Sequence, residues 1–123
     1  MASLGSSLFH EIPANFFGIL TGPNARAYLD VVDAIEREMP ARGDAMELAE
    51  MLEIIDSVLS AGVVFEEEGD EQNSDPPSAR VLRRLIASRW IEEEKRSDYR
   101  RILFLEPAAQ TLLEALRTII SQN

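Results

Sequence analysis

Apolar residues recur at helical spacing along most of this chain. They switch to alternation once, at residues 102–105, and vanish between 66 and 77. Val81, Leu82, Leu85 and Ile86 fall on one helical face, with Arg80, Arg83, Arg84 and Arg89 opposite. Asp75, Pro76 and Ser78 supply the start signals for that helix. A Trp90-Ile91 step leads into the charged run from Glu92 to Arg96. Then Ile102 and Phe104 alternate with Leu103 and Leu105, the period of a strand covered partly on both faces. Pro107 opens a last amphipathic helix through Ala109, Leu112, Leu113, Leu116 and Ile120.

Upstream, Leu8, Phe9, Ile12, Phe16, Phe17, Ile19 and Leu20 crowd the first 23 residues, interrupted by Pro13 and stopped at Gly22-Pro23. The four-residue intervals Ile12–Phe16 and Phe16–Leu20 predict a short helix over 14–20. Asn24 is placed to cap a helix whose apolar face is Ala25, Tyr28, Leu29, Val32, Ile35 and Met39, ended by Pro40. Asp44 and Glu47 have capping-box spacing for a helix bearing Met46, Met51, Leu52, Ile55, Val58 and Leu59, with Gly62 as its stop. Residues 65–77 read as a mobile acidic loop. Helices, then a helix, two short strands with a charged tip and a final helix predict a mainly α fold with a small β-hairpin. This is an α+β winged-helix domain with an extra N-terminal helical segment. The domain spans 24–123 and the apolar lead-in 1–23.

With 123 residues and 46% apolar content, the chain can bury one core. It has no cysteine, hence no disulfide framework or thiolate chemistry, and no apolar run long enough for a membrane span. Its N-terminus lacks a signal-peptide pattern, so a cytoplasmic protein is expected. The net charge of −10 is unevenly spread. Between Tyr28 and Asp75 fifteen acids face two arginines, a local net of −13. Between Arg80 and Arg101 eight cations face four acids, a local net of +4. The bulk charge opposes phosphate backbones, while the basic stretch sits where a winged helix carries its recognition helix and wing.

No catalytic set appears. His10 is the sole histidine and has no nucleophile motif around it. The acids from Glu66 to Glu71 lack calcium-loop spacing, and the glycines are too scattered for a phosphate loop. We therefore expect no enzyme activity, no cofactor and no metal. Two surfaces are candidates for contact. Phe9, Ile12, Phe16, Phe17, Ile19 and Leu20 form an apolar surplus that fits either internal packing or a homodimer interface. Arg80, Arg83, Arg84, Lys95, Arg96, Arg100 and Arg101 form a basic surface for a partner or nucleic acid. The competing account of that surface is charge balance, with Glu92 to Glu94 pairing across the hairpin with Arg100 and Arg101. Base readout is expected to be weak, because the helix offers arginine but almost no Asn, Gln or Lys.

The opening Leu8-Phe9-x-x-Ile12-Pro13-x-x-Phe16-Phe17-x-Ile19-Leu20-x-x-Pro23-Asn24, followed by a helix bearing Tyr28, resembles the start of the JetA proteins of Wadjet systems. Ala79-Arg80-x-Leu82-x-x-Leu85, then Trp90-Ile91-Glu92 and Tyr99, is similar to the same family's next block. JetA in turn resembles MukF, a kleisin that bridges the heads of SMC ATPases. The resemblance implies an N-terminal winged-helix region that dimerises, within a longer chain. It also implies partners met through the rest of that chain: an SMC ATPase and small winged-helix subunits of the KITE type. The complex would act on plasmid DNA in bacterial defence, this domain itself touching DNA weakly or not at all. The alternative is a small dimeric winged-helix transcription regulator of the MarR or PadR kind.

Overall fold

A computed structural model describes residues 3–40, 45–62, 65 and 75–122. The acidic stretch 66–74, expected to be a mobile loop, and Asp44, expected to cap a helix, lie outside the described residues.

Chain order begins with α1 (Leu4–Glu11), capped by the Ser3 hydroxyl, which accepts from the Ser6 amide at 3.1 Å. It was not foreseen: Gly5, Ser6 and Ser7 are weak helix formers, and none of its residues is buried. A 3-10 helix (Ala14–Leu20) follows. The expectation of a helix here holds, but its spacing is three, not four. Phe16 and Ile19 both turn inward, whereas Leu20 is only half-buried. Asn24 occupies the N-cap of α2 (Ala25–Glu38), although its side chain makes no capping bond. Tyr28, Val31, Val32 and Ile35 give α2 its buried face.

Met46 and Glu47 form the strand β1 rather than the first turn of a helix. The helix expected to start near Asp44 instead begins after them, as α3 (Leu48–Ser60). Its capping box is Glu47 with Glu50, each side chain meeting the other's backbone amide. Two residues are too few to show alternation, so β1 left no periodic signal. Gly62, just past the end of α3, has φ +95°, the left-handed stop that glycine supplies without strain.

The second half follows the expected order: α4 (Pro77–Ala87), β2 (Ile91–Lys95), β3 (Arg101–Leu105) and α5 (Pro107–Ser121). β3 pairs antiparallel with both other strands, giving the sheet order β1-β3-β2. Met46 lies opposite Leu103, and Ile91 opposite Leu105. Leu103 and Leu105 are buried on one face while Ile102 is buried on the other, as the alternation required. From α2 to β3 this is the winged-helix arrangement: helix, strand, helix, helix and a two-stranded wing.

A Schellman turn ends α4. The Trp90 amide bonds the Leu85 carbonyl at 3.0 Å and the Arg89 amide bonds that of Ile86 at 3.1 Å. Arg89 takes the left-handed position, at φ 62°. The turn drives Trp90 fully into the core, where its ring stacks on Phe16 at 4.7 Å and 9°. Its indole N–H donates to the Phe16 carbonyl at 2.7 Å, and its own carbonyl accepts from the Glu106 amide at 3.0 Å. One residue, through its ring and its backbone, thus joins the 3-10 helix, the end of α4 and the start of α5. The apolar lead-in is part of the winged-helix core.

Candidate partner-binding surface

The six apolar residues considered for a dimer interface are divided by the fold. Ile12, Phe16 and Ile19 are buried within the chain's own core and have no surface to offer, which corrects that part of the expectation. Phe17 and Leu20 are half-buried against the core. Phe9 is exposed, and so are Leu4 and Leu8 on the same helix. The T-shaped chain Phe9–Phe17–Phe16, with centroid distances of 6.4 and 5.3 Å, links this α1 face to the Trp90 stack. Internal packing therefore absorbs much of the surplus, and what is left outside is the face of α1.

The basic surface is divided as well. Arg83 pairs with Asp75 across the first turn of α4. Arg101 pairs with Glu93, a diagonal contact that the register makes possible because Arg101 faces Lys95 across the hairpin. That pairing holds the Glu93 carboxyl below its ordinary range, mainly through the Arg101 hydrogen bond. Arg100 pairs with acids other than Glu92 to Glu94, the partners the charge-balance account had given it. It bonds Asp98 at 2.7 Å and Glu47 of β1 at 3.4 Å. Arg80 and Arg84 are half-buried, and Arg84 lies over the 3-10 helix, 3.2 Å from where a β-carbon on Gly18 would stand. Lys95 and Arg96 are exposed near the wing tip, with Arg96 facing a shallow groove it shares with Glu47, Glu50 and Arg100. Opposite charges inside the chain thus engage much of what phosphate would otherwise meet.

Two charged clusters escaped sequence reading, since each joins residues distant in the chain. Arg117 of α5 bridges Asp33 and Glu36 of α2. Asp33 is held below its ordinary pKa: burial opposes this, and the bonds to Arg117 and Arg37 outweigh it. At the base of the wing, Arg89 lies 3.8 Å from Glu92 and 3.7 Å from Glu106. Burial, with Glu92 beside it, pushes the Glu106 carboxyl up to about 7. The wing tip itself carries Tyr99, 95% exposed and left-handed at φ 67°.

Element order, strand order and a surface of paired charges define the class as a winged-helix-like α+β protein. A family model described as Wadjet protein JetA matches residues 29–123, and the chain belongs to that family. The match begins within α2 and runs through β1 to α5, so the opening Leu8–Asn24 motif precedes it. No curated protein and no solved structure matches the chain. Membership makes this chain a subunit of a Wadjet complex. No helix among the described residues is long and apolar enough to cross a membrane.

Proposed function

We propose that this chain is a non-catalytic dimerisation and scaffold domain of a kleisin-like, MukF-like subunit in a condensin-like Wadjet complex that defends bacteria against plasmid DNA. The observation that carries the reading is the engagement of Arg83, Arg100 and Arg101 with acids of the same chain. A fold that reads DNA through its third helix and wing leaves such cations facing phosphate. Here they stabilise the α4 start and the hairpin instead. The net charge of −10 adds a repulsive field at longer range. The exposed face of α1, with Leu4, Leu8 and Phe9, is the surface through which two copies would meet. An SMC ATPase and KITE-type subunits are the further partners that this reading implies.

Titration with a duplex of about 30 base pairs at physiological salt tests this reading. Binding should be no tighter than the non-specific range of about 10⁻⁴ to 10⁻⁶ M and independent of sequence. Nanomolar affinity for a defined operator, lost on Arg83→Glu with Arg84→Glu, would instead establish a transcription regulator.

A further inference from the structure

Tyr99 breaks a local rule with no return inside the chain. The wing closes through a bond from the Tyr99 amide to the Arg96 carbonyl and one from the Arg96 amide to the Arg100 carbonyl, both 2.9 Å. This is a three-residue loop whose last position is left-handed, the place where glycine or asparagine normally sits. A tyrosine there is strained, and its ring, 95% exposed, packs against nothing. Arg89, the other non-glycine at positive φ among the described residues, differs: its strain seats Trp90 in the core. Strain without a folding gain marks a residue held out for a contact. An exposed tyrosine beside Lys95 and Arg96 has the make-up of an interface anchor.

The same chain carries a matching recess. Between the end of α2 and the start of α5 lies a cleft of about 210 Å³, lined by Glu36, Met39, Pro40, Leu105 and Gln110. A cavity of roughly 150 Å³ already accepts a benzene ring, so a phenol fits. Gln110 donates its amide to the Leu105 carbonyl at 3.1 Å, which leaves its side-chain oxygen to accept from a phenol hydroxyl. Glu36, though bridged by Arg117, and exposed Glu38 put acidic charge on the end of α2 that borders the cleft, complementary to Lys95 and Arg96. The tip cannot fill its own cleft. Leu105 is six residues on, at the far end of β3, roughly 20 Å of extended chain away.

We propose that Tyr99 at the wing tip of one copy inserts into the Glu36–Met39–Leu105–Gln110 cleft of a second copy. This rests on the homodimer reading and adds to it a contact separate from α1. A two-fold axis would make the contact twice.

The experiment places the photo-crosslinker p-benzoylphenylalanine at position 99 of the full-length protein and maps the products by mass spectrometry. The expected crosslink joins another copy at residues 36–40 or 105–110. Crosslinks elsewhere on another copy, only to duplex DNA, only to another subunit, or none at all would overturn the proposal. Tyr99→Gly supplies the second readout. It should raise Tm by roughly 3–6 °C as the backbone strain is released, yet weaken self-association at least about tenfold in sedimentation. A more stable variant with unchanged self-association refutes the contact. If Phe9→Ser alone dissociates the dimer while Tyr99→Gly does not, the dimer reading stands and this inference falls. If neither wild type nor variants self-associate, both fall.

Discussion

Replacing Trp90 by Phe probes the joint that makes the lead-in part of the domain. The substitution keeps a ring that can stack on Phe16 but deletes the indole N–H, stranding the buried Phe16 carbonyl. Leaving a buried acceptor unpaired costs about 1–3 kcal/mol. The two ring carbons lost from a fully buried site remove roughly another 1.5 kcal/mol of burial. Full truncation of a buried Trp to Ala costs about 3–5 kcal/mol, which bounds the sum from above. Trp90→Phe should therefore destabilise by about 2.5–4.5 kcal/mol, a large share of the ~5–15 kcal/mol that holds a domain together. Trp90 is the only tryptophan, so urea unfolding is followed by far-ultraviolet circular dichroism rather than by fluorescence. A cycle of Trp90→Leu with Phe16→Leu should return a coupling of about 0.5–1.5 kcal/mol from the stacked pair. A Trp90→Phe loss below ~0.5 kcal/mol, the size of an ordinary surface change, would refute the reasoning.

Three further outcomes follow from the same contacts. Glu106→Gln probes the carboxyl raised to about 7. Because the folded pKa lies above the unfolded one, its stabilising contribution is complete below about pH 4.5 and is lost as pH rises through 7. The variant should match wild type in Tm at pH 5 and exceed it at pH 8, and equal Tm values at both would remove the cluster from the account. Gly62→Ala should cost about 1 kcal/mol in denaturant unfolding through backbone strain, since nothing among the described residues lies within 4 Å of the added carbon. Arg117→Leu should lower stability by no more than about 1 kcal/mol at pH 7, because its side chain is 38% exposed and solvent screens the bridge. The loss should shrink as pH falls through the depressed pKa of Asp33.

The second half of the fold was legible because its signals were dense. Val81, Leu82 and Leu85 mark a helix, Ile102 to Leu105 alternate, and Pro107 starts the last helix. Elements without a period were not legible. The two residues of β1 acquire their identity only from β3, through Met46 opposite Leu103. The three-residue turn of the 3-10 helix buries Phe16 with Ile19, whereas the four-residue rule had paired Phe16 with Leu20. The partner surfaces were harder still. A sequence shows that Phe16 is apolar but not that Trp90, 74 residues on, covers it. It shows that Arg83 and Arg100 are cationic but not that Asp75 and Glu47 meet them. Tyr99 is the clearest loss: only the backbone angle reveals that an ordinary tyrosine occupies a glycine position.

On the proposed reading, this domain joins two copies rather than reads DNA. Sedimentation velocity of the chain at roughly tens of micromolar, a concentration at which mass action populates a working dimer, tests it most directly. The expected result is a dimer that Leu8→Ser with Phe9→Ser on α1 dissociates without unfolding. A wild-type monomer under those conditions would contradict it.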